Sequence, residues 1–166
     1  MKVPLFKQTS KRSCGPAALR MVLAYYGINI PEKEIIKGVG DLKKYSVRTI
    51  KLADFTKKLG FKVECLSYSR KLAKGKAITK KPSPRDIFKY LKRKIPVILA
   101  VNSETLYNKK STSQGHFIVI TKHRKGTFFY NDSKEGKQHK IKKKDLLLAW
   151  YNNVANSSAY LLMVRK

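Results

Sequence analysis

Cys14 is the residue of this sequence whose type and position are best suited to chemistry. It stands at the start of an apolar helical segment and is followed by Gly15 and Pro16. The first turn of a helix exposes unpaired backbone N–H groups and the positive end of the helix dipole, and both favour a thiolate. Because the thiolate is the form of cysteine that attacks carbonyl carbons, Cys14 is predicted to be a nucleophile.

Such a nucleophile needs a base, and the chain has three histidines for that role. His139 lies among lysines and is predicted to be a surface residue, whereas His123 follows an apolar segment and is predicted to lie at the end of a strand. His116 lies between Gly115 and an apolar strand segment, where a buried polar group needs a partner or a function. We therefore predict that His116 pairs with Cys14.

An acceptor for the second ring nitrogen of His116 is predicted on the next strand. That strand returns antiparallel after a turn around Gly126 and brings Asn131 and Asp132 back to the start of the His116 strand. Either acceptor would hold the imidazole in one tautomer and orientation. Cysteine nucleophiles commonly use partners that are distant in sequence and close in space, and on this ground both residues stay candidates.

Gln8 is the fourth candidate site residue. It lies six residues before Cys14, close enough in the chain to fold beside it. Its side-chain N–H, together with the backbone N–H of Cys14, would stabilise an oxyanion, and each such donor contributes about 10²–10³ in rate. The structural alternatives are a small buried thiol at Cys14, a hydrogen-bonded core histidine at His116, a turn residue at Asp132 and a surface glutamine at position 8.

The elements that must position these residues are helices in the first half and strands in the second. Leu19, Val22, Leu23 and Tyr26 follow helical spacing after Ser13, and Gly27 ends that helix. A second helix is predicted from an N-cap at Ser46 to Gly60, a third after Ser83 and Pro84, and a short one over 144–151.

Strands are predicted over 61–68, 96–101, 116–121, 126–131 and 159–164, and loops over 67–82 and 102–115. This order predicts one α+β domain over 1–166, with N-terminal helices packed on a C-terminal antiparallel sheet. Cys65 falls on the apolar side of its strand and is predicted to be a core residue.

Length and cysteine usage limit the cellular context. No apolar run of the 166 residues approaches the ~20 that span a bilayer, and the N-terminus lacks a signal-peptide pattern. The two cysteines do not form a disulfide framework, and no paired spacing indicates a metal site. We predict a cytoplasmic protein with no transmembrane segment, no metal and no cofactor.

The charge of the chain is strongly positive. Lys and Arg total 38 against 10 Asp and Glu, which gives a formal net charge of +28. Such a charge attracts polyanions, but only eight of these cations are arginines, the residue type that commonly reads bases, and the lysines occur throughout the chain. We predict a solvated basic surface that binds polyanions non-specifically and attracts acidic substrates.

The segments that carry these residues resemble the bacteriocin-processing double-glycine peptidases. The similarity includes "QTSKRSCGPAALRMVLAYYG", "GHFIVI" and "NDS", and it runs colinearly over nearly the whole chain. These proteins are papain-like cysteine peptidases, often the cytosolic N-terminal domain of an export transporter. The resemblance implies a papain-like fold, with Gln8 as oxyanion donor, Cys14 as nucleophile, His116 as general base and Asp132 as the orienting residue.

The resemblance also implies a substrate class. We expect hydrolysis of a peptide bond after small residues such as Gly-Gly in a leader or precursor peptide, with an export transporter as partner. Ser133 follows Asp132 where the family commonly has proline, so Asn131 remains an alternative orienting residue. Other functions consistent with the residues are acyl transfer to an acceptor other than water, and a non-catalytic peptide- or polyanion-binding module on the same fold.

Overall fold

Seven helices and seven strands make up the part of the chain that the computed structural model describes, which is residues 1–40, 42, 46–110 and 115–166. The helices are α1 Cys14–Tyr25, α2 Glu32–Gly38, α3 Thr49–Lys58, α4 Arg70–Ala73, α5 Pro84–Lys92, α6 Ser103–Tyr107 and α7 Lys143–Val154. The strands are β1 Lys62–Ser67, β2 Ile78–Thr79, β3 Val97–Asn102, β4 Gly115–Arg124, β5 Thr127–Asp132, β6 Lys137–Lys142 and β7 Leu161–Arg165.

The seven strands form one sheet in the order β2-β1-β7-β3-β4-β5-β6. Neighbouring strands are antiparallel except β1 and β2, which are parallel. β3, β4 and β5 therefore lie side by side, with His116 near the start of β4 and Asp132 at the end of β5. The α+β class predicted from the sequence is confirmed.

Both faces of the sheet are covered. Along β3, Ile98 and Ala100 belong to the core cluster that α1, α2 and α3 complete, whereas Val97 and Leu99 belong to a second cluster completed by α5 and α7. This alternation follows from the two-residue period of a strand. The predicted packing of N-terminal helices on the sheet is thus confirmed, and the second helical layer on the opposite face adds to it.

The start of α3 differs from the prediction. Arg48 occupies the N-cap position with an extended backbone, so the predicted cap at Ser46 is wrong. Ser46 has a φ of 67°, and its hydroxyl donates to the carbonyl of Arg12. The side chain that was expected to cap α3 instead ties this segment to the turn before α1.

The two predicted loops contain short regular elements. The segment 67–82 includes α4 and β2, and the segment 102–115 includes α6, while positions 111–114 lie outside the described residues. Each short helix is held by its cap: Ser69 accepts from the N–H of Leu72 at 3.2 Å, and Asn102 accepts from the N–H of Thr105 at 2.8 Å. A single capped turn is too short to show helical periodicity in a sequence.

Neither α2 nor β6 was predicted from the sequence. β6 lies at the sheet edge and reads "KQHKIK", so lysines replace the apolar alternation that identifies a strand.

No helix among the described residues is long and apolar enough to span a membrane.

Candidate active site

Cys14 is the first residue of α1, and its side chain faces β4. It is 5% exposed, and its thiol lies within hydrogen-bonding reach of the His116 side chain. Burial by itself raises the pKa of this thiol, but the hydrogen bond and positive charge of His116 oppose that effect, helped by the backbone N–H groups of Phe117 and Gly15. The net result is a Cys14 pKa below the ordinary value for cysteine.

His116 connects Cys14 to Asp132. Its Nε2 lies 2.8 Å from Oδ1 of Asp132, which leaves Nδ1 as the ring nitrogen for Cys14. The His116 side chain is 6% exposed and Asp132 is fully buried, so water screens this contact little. Burial lowers the pKa of His116, but its contacts with Asp132 and Cys14 outweigh that effect and raise it from 6.5 to about 9.

The pairing of β4 with β5 decides that Asp132, and not Asn131, faces His116. Asp132 is paired with Ile118, which lies two residues from His116 and on the same face of the sheet. Asn131 is paired with Val119 on the opposite face. There its amide donates to the carbonyl of Val3 at 3.1 Å and accepts from Gln138 at 3.1 Å.

This outcome depends on an irregularity in β4. Ile120 pairs with Tyr130 while Lys122 pairs with Phe129, so Thr121 is one extra residue on β4. If the register at Lys122 continued unchanged, Ile120 would oppose Asn131, and Asn131 would share the face of His116. The alternative left open by the sequence is therefore resolved by a β-bulge, in favour of Asp132 as the partner of His116.

Asp132 has hydrogen-bond donors on both carboxylate oxygens. The Oδ1 atom also accepts from the backbone N–H of Lys134 at 2.8 Å, and Oδ2 accepts from the hydroxyl of Tyr107 at 2.6 Å. Burial raises the pKa of Asp132, but these donors together with His116 lower it overall. Tyr107 was missed by the sequence analysis because it lies on α6, in a segment predicted as loop.

Gln8 lies on the segment that leads into α1. Its Nε2 donates to the carbonyl of Ser10 at 2.7 Å, and the same carbonyl accepts from the N–H of Ser13, the residue before Cys14. Ser133 holds the opposite side of the amide, because its hydroxyl donates to Oε1 at 3.1 Å and its carbonyl accepts from the Gln8 N–H at 2.8 Å. Ser133, which stands where the family commonly has proline, thus connects Gln8 to the end of β5, next to Asp132.

Gly15 is required by internal packing. A Cβ at this position would lie 2.6 Å from Cγ1 of Val47 and 3.2 Å from the ring of Phe117. The missing side chain lets Val47 and Phe117 close over the start of α1.

A cleft of about 390 Å³ lies beside His116. Val47, Leu72, Gly115, His116, Phe117 and Asn153 are among the residues that line it. Val47 and Phe117 form part of its wall and also pack against Gly15, so the cleft lies next to the start of α1. His116 forms part of the same wall.

The remaining histidines and Cys65 lie elsewhere. His123 packs against Phe88 and Phe128, with ring centroids 4.8 and 4.6 Å away, and His139 lies on β6. Cys65 is buried on β1, and burial raises the pKa of its thiol to about 12. This confirms the prediction that Cys65 is a core residue, and of the two free cysteines only Cys14 has a lowered pKa.

Solved structures show the same fold. The peptidase domain of Streptococcus ComA, a bi-functional ABC transporter involved in a quorum-sensing pathway, has a TM-score of 0.65 at 19% identity, with 99% of this chain and 97% of that chain covered. A structure from Bacillus anthracis, described as a C39-like peptidase, has a TM-score of 0.73 at 16% identity over 99% and 95% of the two chains.

A third similar structure is a double-glycine-motif protease from an AMS/PCAT transporter in complex with a leader peptide. Its TM-score is 0.60 at 20% identity, with 98% of this chain and 91% of that chain covered. No curated protein matches the chain by sequence. The model of the Peptidase_C39 like family matches residues 1–158. The chain therefore belongs to the Peptidase_C39-like family, whose solved relatives have the papain-like peptidase fold.

Proposed function

We propose that this protein is a cysteine peptidase that hydrolyses a peptide bond after small residues, of the Gly-Gly type, in a leader or precursor peptide. The observation that carries the proposal is the buried series of contacts from Cys14 through His116 to Asp132. Together with a Cys14 pKa below and a His116 pKa above their ordinary values, these contacts favour a thiolate–imidazolium pair.

In the first step the Cys14 thiolate attacks the peptide carbonyl and forms a tetrahedral intermediate. The backbone N–H of Cys14 and a side-chain N–H of Gln8 donate to its oxyanion. The primary amide of Gln8 has two N–H donors, and the one that does not bind Ser10 serves this purpose. Collapse of the intermediate breaks the C–N bond, and His116 gives its proton to the leaving amine.

The second step is hydrolysis of the thioester. Neutral His116 accepts a proton from a water molecule, which attacks the thioester carbonyl and releases the acid and the Cys14 thiolate. Asp132 keeps Nε2 of His116 protonated and the ring oriented while Nδ1 exchanges protons with Cys14, water and the leaving amine.

Small residues beside the scissile bond fit the burial of the nucleophile. Cys14 is only 5% exposed, so a substrate carbonyl reaches the sulfur only if the neighbouring residues have little bulk. The resemblance to double-glycine peptidases supports the same specificity. The complex of the AMS/PCAT transporter protease with a leader peptide supports a leader as the substrate class.

The partners and location follow from the same proposal. The formal charge of +28 suits an acidic peptide substrate, and the similarity to transporter peptidase domains suggests an export transporter as partner. A reducing, cytoplasmic location would keep the Cys14 thiol available.

A paired peptide assay tests this function. Acidic peptides that contain Gly-Gly, and matched peptides with Leu-Leu at the same position, are incubated with the protein, with Cys14→Ala and with Cys65→Ala. We expect the unmodified protein and Cys65→Ala to cleave after Gly-Gly and to cleave the Leu-Leu peptide little. We expect Cys14→Ala to cleave neither peptide. Equal cleavage of both peptides would overturn the specificity, and cleavage that survives Cys14→Ala would overturn the mechanism.

A non-catalytic binding module is the alternative, and the large positive charge is the observation that favours it. In that case the protein and Cys14→Ala bind the acidic peptides equally, and neither cleaves them. Mass spectrometry of the recovered peptides distinguishes the two functions.

A further inference from the structure

We infer that Tyr107 is a positioning residue for Asp132: its hydroxyl holds the carboxylate in the orientation that serves His116, and it thereby sets the reactivity of Cys14. The inference rests on the proposed function for the roles of Cys14 and His116. It concerns a residue that lies outside the Gln8, Cys14, His116 and Asp132 set.

The contacts of Asp132 are divided between its two oxygens. His116 Nε2 and the Lys134 N–H share Oδ1, at 2.8 Å each, whereas the Tyr107 hydroxyl donates to Oδ2 at 2.6 Å. The carboxylate turns about its Cβ–Cγ bond, and that rotation moves both oxygens together. The Tyr107 hydroxyl on Oδ2 therefore opposes the same rotation as the two contacts on Oδ1, and it adds to them in holding the plane of the carboxylate.

Tyr107 is itself held in place from three sides. The Lys134 Nζ lies 4.2 Å from the centroid of its ring, and the ring of His116 lies 5.8 Å away at 51°. The helix that carries Tyr107 is capped by Asn102 and tied to α7 by a hydrogen bond from Asn152 to Thr105 Oγ1 at 3.0 Å. The short helix α6 is thus fixed at both its N-cap and its contact with α7, and it holds the Tyr107 hydroxyl beside Asp132.

The buried position of Asp132 gives this hydrogen bond its effect on proton equilibria. Among the described residues, the titratable or charged groups around Asp132 and the Tyr107 phenol include His116 on β4, Cys14 on α1, Tyr130 on β5 and Lys134 after β5. Removing the Tyr107 hydroxyl leaves Oδ2 buried without that donor, which raises the pKa of Asp132. A carboxylate that protonates more readily stabilises the His116 imidazolium less, and the pKa of Cys14 then rises.

Tyr107→Phe tests the inference, and Tyr90→Phe is its matched control. Tyr90 is a buried phenol that, like the half-buried Tyr107, donates to a carboxylate, here Glu64 Oε2 at 2.5 Å, but it lies on α5 in the second core cluster. The measurement is the rate of alkylation of Cys14 by iodoacetamide against pH, followed by mass spectrometry. It needs no peptide substrate, and Cys65, with a pKa of about 12, does not react in the same pH range.

We expect both variants to unfold at a lower temperature, because each loses a hydrogen bond to a carboxylate. Only Tyr107→Phe should move the alkylation midpoint upward, by about one pH unit, which is a tenfold lower reactivity on the acid side. An unchanged midpoint in a folded Tyr107→Phe protein, or an equal shift in Tyr90→Phe, would overturn the inference.

A double variant tests whether Tyr107 acts through Asp132. Tyr107→Phe in an Asp132→Ala background should leave the alkylation midpoint where Asp132→Ala alone puts it, because the group that the hydroxyl positions is gone. Additive shifts would show that Tyr107 acts by another route and would overturn the inference. In the Asp132→Ala background the Tyr107 hydroxyl has already lost its acceptor, so Tyr107→Phe removes no hydrogen bond to Asp132 there. The comparison therefore does not depend on the stability of the single Tyr107→Phe variant.

Discussion

Cys14 and His116 shift each other's pKa in opposite directions, because each favours the charged form of the other. The Cys14 pKa is lowered although burial raises it, and the His116 pKa is raised to about 9 although burial lowers it. The His116 side chain is therefore protonated over a range where an isolated imidazole is neutral. At the scale of single residues, burial is the largest single influence on each pKa, and the hydrogen bonds and charges together outweigh it, those of Asp132 on His116 included.

Replacing His116 by alanine should raise the pKa of Cys14. The variant removes the imidazolium and its hydrogen bond and leaves burial as the main influence on the thiol. We expect the pH midpoint of Cys14 alkylation to lie well below the ~8.5 of a free thiol in the unmodified protein and above it in His116→Ala. Equal midpoints in the two proteins would contradict the ion pair.

Peptide cleavage should decline on the alkaline side as His116 loses its proton. Because the His116 pKa is raised from 6.5 to about 9, the imidazolium is fully present below 6.5 and is lost as the pH rises through about 9. We expect kcat/KM to fall through pH 9, since the acid that protonates the leaving amine disappears. The measurement is a pH–rate profile, and a decline already centred near pH 6.5 would argue against the raised pKa.

Alanine at Asp132 and alanine at Asn131 should have different consequences. Asp132→Ala removes the partner of His116 Nε2, and we expect kcat to fall by about 10²-fold or more. Asn131→Ala removes hydrogen bonds to Val3 and Gln138 on the other face, so it should lower the unfolding temperature while kcat changes little. Steady-state kinetics and thermal unfolding of both variants check this contrast, and a larger loss of kcat in Asn131→Ala would reverse the assignment.

The start of α1 is built by close packing between elements. Gly15 on α1 has no Cβ, and Val47 and Phe117, from the segment before α3 and from β4, occupy the space that a Cβ would need. Three parts of the chain therefore meet at the residue next to Cys14. At the scale of elements, the position of Cys14 depends on the fit among these parts.

Gly15→Ala should destabilise the protein by overpacking. A Cβ 2.6 Å from Cγ1 of Val47 forces that side chain to move, and such strain amounts to about 1–3 kcal/mol of unfolding free energy. Adding Val47→Ala removes the clashing atom and should restore part of the lost stability. Denaturant unfolding of both single variants and of the double variant measures these free energies of unfolding. If Val47→Ala lowers the free energy of unfolding equally with and without Gly15→Ala, the two positions are independent and the overpacking explanation is contradicted.

The whole molecule carries far more cations than it pairs internally. Lys and Arg outnumber Asp and Glu by 38 to 10, so a complete set of ion pairs would still leave most cations to the solvent. A field of this kind extends over about a Debye length and acts mainly on encounter with charged partners. At this scale, the role that we propose for the charge is to attract acidic substrates, whereas the proposed chemistry belongs to the buried site.

Added salt should therefore slow the association of acidic substrates with the protein. Raising the ionic strength from about 0.05 to 0.5 M shortens the Debye length, so we expect kcat/KM for an acidic Gly-Gly peptide to fall while kcat stays nearly constant. An uncharged peptide with the same cleavage site is the control and should show little change. An equal loss for both peptides would assign the salt effect to the site and not to the surface charge.

Much of the fold class and the identity of the candidate residues was accessible from local pattern. The helical spacing after Ser13, the apolar strand after His116 and the turn around Gly126 are short-range features, and each describes an element that the structure contains. They placed Cys14 at a helix start and His116 at a strand start. Their catalytic roles remain predictions that the proposed experiments test.

The tertiary structure alone decided which acceptor His116 meets and what supports it. One extra residue at Thr121 shifts the β4–β5 register, and it turns Asp132 to the face of His116 and Asn131 away. The single-turn helix α6 then brings Tyr107 to the second oxygen of Asp132. A bulge interrupts the alternation of a strand at one residue, and a one-turn helix is too short to show helical periodicity, so neither leaves a periodic trace in a sequence.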